Sequence, residues 1–294
     1  MAQPIYTTGI YRQQSTREQE IVQNQLQIFS QVTAYRNQGF AGHWEEVAEL
    51  IEPTFRNTFI YGNYNTPGEK KTHKQIDATG MMANTRFASI CDSLLTPRNQ
   101  IYQRVLAGGD DADYVMKDRK SRLWFDQVTK IHMDYRYAPY ANFSGENNKN
   151  YRSLGAFGNM CMFTDEFDDA LMPGLRYRSV PLGEGFFREN HQGQIDSVIR
   201  WMRMTARQAE QKWPGMLPEA LQTALTANSE QLFNFLHCVH PRDDHDPSRL
   251  DARGKKFQSI YISMEGKCLM FKQGEDWEGG YRSFPYSIGR YEQG

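Results

Sequence analysis

Residues 176–208 read RYRSVPLGEGFFRENHQGQIDSVIRWMRMTARQ, and this stretch decides the fold class. β-Branched and aromatic residues gather in three runs: Tyr177 and Val180, then Phe186 and Phe187, then Ile195 through Trp201 to Met204. Such runs, bounded by turn residues, are the signature of strands. Pro181-Leu182-Gly183 and Asn190-His191-Gln192-Gly193 separate them, and each contains a Gly able to take positive φ. The reading is a strand–turn–strand–turn–strand meander. Thr205-x-x-Gln208 then has the spacing of a capping box, so a helix begins where the sheet element stops.

Upstream of this stretch the pattern is helical. Ser15-x-x-Glu18 is a second capping box, and Val22, Leu26, Phe29 and Val32 form one stripe of a helix expected over about 16–38, before Gly39. Gly42 is expected to open another helix, with Trp44, Val47, Ala48 and Ile51 on one side and Pro53 at its end. Residues 54–75 read as a polar loop. Asp77 should cap a helix dense in small residues, Ala78, Gly80, Ala83, Ala88 and Ser89 among them, which predicts close packing at the centre of the helical part. The alternation Ile101, Gln103, Val105 predicts a strand over 99–107. A long helix follows over 111–137 with Trp124, Val128, Ile131 and Tyr135 as its buried face. A shorter helix over 142–156 leads into a buried strand, 159–163.

Downstream, two short helices split by Pro214-Gly215 and Pro218 interrupt the strands. Strands are expected again at 233–239, 257–264 and 268–272, the last two joined at Glu265-Gly266, with a final one within 282–290. Helices first and mainly antiparallel strands afterwards predict an α+β fold. The expected organisation is an extended arm at 1–14, a mainly helical part at 15–158, and a mainly β part at 159–294 with a helical insert at 205–226.

Composition narrows the function classes. The chain has 294 residues, 39% of them hydrophobic, which is enough for one large core or two ordinary ones. With 34 basic and 35 acidic residues the formal net charge is -1, so no overall basic character points to nucleic acid. Cys91, Cys161, Cys238 and Cys268 lie among apolar residues with no CxxC pair, the pattern of reduced, packed thiols. No apolar run approaches the ~20 residues of a membrane span and the N-terminus has no signal-peptide core, so synthesis and residence in the cytoplasm is the default expectation, with no membrane partner.

Two clusters carry side chains capable of metal chemistry. His237, Cys238 and His240 run into Asp243, Asp244, His245 and Asp246, but a strand puts His237 and Cys238 on opposite faces, and zinc would need two further ligands from elsewhere. Asp165, Glu166, Asp168 and Asp169 form an acidic turn without the EF-hand spacing or its Gly. Gly183-x-Gly185 lies between strands and does not open a helix, which excludes a phosphate loop. Cys91 has no His near it in sequence and reads as packing. No catalytic, cofactor-binding or metal-binding residue is assigned. Arg98, Arg104, Arg282 and Arg290, basic positions near element ends, read as solvated surface charge.

The order of several segments resembles the portal, or head-to-tail connector, proteins of short-tailed bacteriophages. The stretches are Trp44 to Phe55 with its Pro exit, Asp77 to Pro97 with its Leu-Thr-Pro exit, Asn150 to Asn159 with the strand behind it, Gly193 to Asp196 with Met204 to Gln208, Phe233 to Arg242, and Phe284 to Arg290. The resemblance covers residues 40–294 and implies a structural virion protein without an active site or cofactor. It implies a ring of about a dozen identical subunits at one capsid vertex, serving as the conduit for DNA in packaging and ejection. The implied partners are the major capsid protein, scaffolding protein, terminase, a tail adaptor, and double-stranded DNA passing through non-specifically. It further implies that these residues are mainly the wing region, with stem, clip and crown expected after residue 294. Two other readings of the residues stand beside it: a metal-dependent nucleic-acid enzyme built on the Asp165–Asp169 and His237–Asp246 clusters, and a stand-alone capsid or tail adaptor.

Overall fold

The computed structural model describes residues 14–61, 77–166 and 174–291. The expected arm at 1–14, apart from its last residue, and most of the expected loop at 54–75 lie outside them, as do Asp168 and Asp169. The helices are α1 (Thr16–Leu50), α2 (Thr79–Leu95), α3 (Ala112–Lys117), α4 (Arg119–Arg136), α5 (Phe143–Phe157), α6 (Ala206–Lys212) and α7 (Glu219–Ala227). The strands are β1 (Asn159–Glu166), β2 (Leu175–Ser179), β3 (Gly185–Glu189), β4 (Ile195–Thr205), β5 (Leu232–Pro241), β6 (Phe257–Ser263), β7 (Cys268–Met270), β8 (Gly279–Tyr281) and β9 (Tyr286–Arg290). All pairings are antiparallel, and the fold is α+β.

The chain divides into two compact units that interleave in sequence. One comprises residues 1–43, 57–65 and 182–284; the other comprises 44–56, 66–181 and 285–294. Two of the crossings fall beside a proline, between Pro181 and Leu182 and between Phe284 and Pro285. Proline cannot donate to a ladder, so it is a natural place for a chain to leave a sheet.

The first unit is built on a sheet of order β3-β4-β5-β6-β7, with β8 also on β6. Its long central strands, β4 and β5, pair from Val198↔Val239 to Thr205↔Leu232. Because side chains alternate along a strand, each face of the sheet needs its own cover. On one face Val22 and Phe29 of α1 pack with Phe186, Ile199, Trp201, Leu236, Ile260 and Leu269. On the other, α6 and α7 bring Ala209, Leu221 and Leu225, with Trp213 between them, onto Phe233, Phe235 and Met270. Both expected capping boxes form. Ser15 N donates to Glu18 Oε2 at 2.7 Å and Glu18 N to Ser15 Oγ at 3.4 Å. Thr205 N donates to Gln208 Oε1 at 2.9 Å and Gln208 N to Thr205 Oγ1 at 3.2 Å.

The second unit packs α2 on α5, and α5 on a three-stranded sheet of order β2-β1-β9. Glu146 of α5 ties helix to sheet: its Oε2 accepts from Ser179 N at 2.7 Å, while Asn150 Oδ1 accepts from Ser179 Oγ at 2.8 Å. Gly158, at φ 70, ends α5 and turns the chain into β1.

Several expectations are corrected. The meander over 176–208 does not exist: β2 pairs with β1, whereas β3 and β4 form a hairpin in the other sheet. The turn expected at Pro181-Leu182-Gly183 does form, over 182–184, but it is a buried connector between strands that do not pair. Leu182 is buried, and a Cβ on Gly183 would stand 2.4 Å from the Thr58 carbonyl oxygen, so only glycine fits there. The two expected helices around Gly39 are one, α1. A glycine inside a helix costs about 1 kcal/mol relative to alanine, too little to stop a stripe that continues through buried Ala41, Trp44 and Ala48.

The long helix over 111–137 is broken at Asp118, which is extended and accepts from Ser121 N at 2.9 Å as the N-cap of α4. Residues 99–107 form no strand; Val105 N donates instead to Thr129 Oγ1 of α4 at 3.0 Å. Asp77 accepts from Thr79 N and Oγ1, one residue ahead of the α2 N-cap position. The small residues of α2 do not make it a central helix: Asn84 and Ala88 are its buried residues. The close approach to α5 rests on Gly155, where a Cβ would lie 2.3 Å from Asn84 Oδ1 and 2.7 Å from Phe87. The final strand, β9, pairs with β1 and not with the neighbouring strands of the first unit.

Candidate functional site

The densest set of chemically capable side chains, His237 to Asp246, starts on β5 in the middle of the first unit. His237 is 1% exposed. Its ring stacks on Tyr261 at 4.2 Å with an 8° interplanar angle, and Nε2 is 2.9 Å from Ser259 Oγ. Lys212 lies over the outer part of the same cluster, with Nζ 3.7 Å from the Tyr261 ring centroid. Burial, with further contributions from the Lys212 and Arg200 charges, pushes the His237 imidazole well below the ordinary histidine range, so it is neutral.

Cys238 points to the opposite face among Leu236, Ile260 and Leu269, and burial pushes its thiol up to about 12. His240 is 3.3 Å from Gln25 Nε2, and its Nδ1 is 3.0 Å from the Pro241 carbonyl. Arg242, buried, donates to Glu278 at 2.9 Å and Asp244 at 3.2 Å. Asp246 accepts from Ser248, whose side-chain and backbone hydrogen bonds hold its carboxyl below the usual range. Each of these groups therefore has a structural use, and among the described residues no three His, Cys, Asp or Glu side chains converge on a common point.

The neutral His237 has a pH consequence. Its folded pKa lies below the unfolded value, so the unfolded chain binds the extra proton first, and stability is lost as pH falls below ~6.5. Each further pH unit costs about 1.4 kcal/mol until the folded pKa is reached. Urea unfolding of the first unit at pH 7.5 and 5.5 should show this extra loss in the wild type and not in His237→Gln. Equal pH sensitivity of the two proteins would contradict the assignment.

Of the acidic turn, Asp168 and Asp169 lie outside the described residues. Asp165 and Glu166 belong to β1, where Asp165 stands opposite Arg176 on β2. Cys91 is half-buried on α2, and Cys161 and Cys268 are buried. Arg98, Arg104 and Arg282 are exposed, whereas Arg290 is half-buried on β9 opposite Asn159.

Charged groups are buried elsewhere too, Glu52 and Arg36 among them. In the second unit Glu52 is fully buried. Arg152 grips it with Nε and Nη2 at 3.0 and 2.7 Å, and Asn84 Nδ2 donates to it at 2.9 Å. In the first unit Arg36 enters the core beneath the Leu182–Gly185 connector. It donates to the carbonyls of Leu182, Gly183, Gly185 and Phe59 at 2.9–3.2 Å, and its guanidinium lies 3.7 Å from the Phe186 ring centroid. Burial lowers its pKa to about 10. Both are locks on the fold, because each ties together segments distant in the chain.

The surface that sequence reasoning missed is apolar. Trp124, Ile131 and Tyr135 of α4, expected to be buried, are 58%, 46% and 41% exposed. On α2, Ile90 and Leu94 are 48% and 74% exposed. Periodicity identified the α4 stripe, though not the α2 one; what it does not report is whether the same chain covers it.

A family model described as "Bacteriophage head to tail connecting protein" matches residues 23–294. The chain belongs to that family. As a head-to-tail connecting protein it is 23% identical over 270 residues to the portal protein of Salmonella phage epsilon15, covering 90% of this chain and 46% of the relative. It is 24% identical over 254 residues to the probable portal protein of Bordetella phage BPP-1, covering 84% of this chain and 42% of the relative. The connector chain thus spans less than half the length of these two relatives. Among its described residues no helix is long and apolar enough to cross a membrane.

Proposed function

We propose that this chain is a subunit of the portal ring at the capsid vertex, a structural virion protein that forms the conduit for DNA and joins head to tail. The observation that carries this reading is the family match across residues 23–294, in company with two phage portal relatives. On this reading the protein is not an enzyme, and residues 1–294 are mainly the wing, the outer part of the ring. Its partners are further copies of itself, about a dozen in a closed ring, together with major capsid protein, scaffolding protein, terminase and tail adaptor. Double-stranded DNA passes without sequence recognition. The near-zero net charge suits that role, since strong phosphate neutralisation would make passage slow and salt-sensitive.

Electron microscopy of the purified protein tests the proposal. Closed rings of about twelve copies are expected, alone or when co-expressed with the capsid and scaffolding proteins. Protein that stays monomeric in both settings, and is absent from purified virions, would overturn it.

A further inference from the structure

Resting on the ring reading, we propose that the exposed stripe of α4 on one protomer packs against the exposed stripe of α2 on the next, making the second unit a copy-to-copy contact surface. Both helices belong to this unit, and each is held from one side. Ala88 and Asn84 are the buried residues of α2, which packs on α5. Thr129 is the buried residue of α4, held by residue 105 and by Arg136, whose Nη1 donates to Tyr102 at 3.0 Å and Gln103 at 2.7 Å. At 100° per residue, Ile90 and Leu94 fall on roughly the opposite side of α2 from Ala88, and Trp124, Ile131 and Tyr135 on roughly the opposite side of α4 from Thr129. Neither stripe has a partner within the described part of the chain that takes it out of water.

Two unlike faces on one unit are what a ring demands. A closed cyclic assembly uses a heterologous contact, in which each copy presents one patch to the neighbour ahead and a different patch to the neighbour behind. The spacing of Trp124, Val128, Ile131 and Tyr135, steps of four, three and four, is that of a seam meeting another helix. The quantity also fits. Ile90, Leu94, Leu123, Trp124, Ile131 and Tyr135 leave on the order of 700 Å² of apolar surface open. A specific interface buries ~1,200–2,000 Å² in total, of which roughly 57% is apolar. Trp124, beside Phe125 at 4.9 Å centroid separation, supplies the aromatic anchor that such contacts favour.

The test uses the whole purified protein in a Cys91→Ser background, because Cys161, Cys238 and Cys268 are buried. Leu94→Cys and Trp124→Cys are introduced singly and together, then treated with a short bis-maleimide. The double variant should give a ladder of cross-linked multimers on a denaturing gel, and each single variant should stay at monomer mass. In parallel, Trp124→Glu with Ile131→Glu should reduce the oligomeric fraction by at least ~10-fold, while Leu250→Glu, at a residue 95% exposed in the first unit, leaves it unchanged. If the wild type is oligomeric but the double-cysteine variant yields no ladder, or the double-glutamate variant keeps the wild-type mass, this inference is overturned and the ring reading stands. A wild type that stays monomeric alone and with the capsid and scaffolding proteins, and is absent from purified virions, overturns both. Circular dichroism separates disassembly from unfolding; if the glutamates unfold the protein, the cross-linking ladder decides.

Discussion

Arg36→Met should destabilise the first unit by about 3–5 kcal/mol, the range for breaking a buried charged network. Removing the guanidinium takes a donor from the carbonyls of Leu182, Gly183, Gly185 and Phe59 at once, and all four lie in a buried setting. Each carbonyl left without a donor costs about 1–3 kcal/mol, with relaxation and water entry making the sum smaller than the parts. Arg36→Lys should recover little. A lysine is a point charge that cannot reach acceptors spread across both terminal nitrogens of a planar fork, nor lie flat on the Phe186 ring. Urea unfolding followed by the fluorescence of Trp201 and Trp213, both in this unit, is the measurement. A lysine variant as stable as the wild type would show that charge alone holds the connector, and would remove the geometric argument.

The second large effect concerns Glu52, and here the order of two variants is the informative part. Arg152→Met should cost about 3–5 kcal/mol, because it leaves a carboxylate that is fully buried and has lost its only cationic partner among the contacts described. Glu52→Gln should cost less, about 1–2 kcal/mol. The Arg152 side chain is 34% exposed and can turn toward water, while a glutamine oxygen still accepts from Asn84 Nδ2. Thermal or denaturant unfolding reported by Trp44, which lies in the second unit, distinguishes the two. If the glutamine variant proves the weaker protein, the pair is held by something other than the asymmetry of burial.

Both locks involve residues far apart in sequence, which is why neither was legible beforehand. Glu52 and Arg152 look like any solvated pair until α1 and α5 are placed, and Arg36, though seven residues past Phe29 on the same face of α1, gives no sign of its carbonyl partners until residues 182–185 are placed. The same limit explains the meander. Strand propensity found β2, β3 and β4 close to their true places, but propensity does not name a partner, and Pro181 marked a crossing between units that turn chemistry alone presents as a hairpin. The two boundary prolines were a usable signal.

The candidate clusters failed for a related reason. His237 and Cys238 are adjacent in sequence and point to opposite faces of one sheet, as strand alternation requires, so their density in the chain never becomes density in space. The apolar stripe of α4 was found by periodicity and wrongly taken to be covered, whereas on α2 attention to the small residues passed over Ile90 and Leu94.

By itself the sequence determined what short-range chemistry controls: two capping boxes, the turn after β6, the strand runs, the α+β class, and the run of segments that marks the family. Those features depend on a residue and its neighbours within a turn, where sterics and local hydrogen bonding dominate. Only the tertiary structure decided which strands share a sheet, that α1 runs through two glycines, which charges are buried, and which apolar stripes stay open. Each of those is settled by packing free energy between distant segments, which exceeds the ~1 kcal/mol of a local preference.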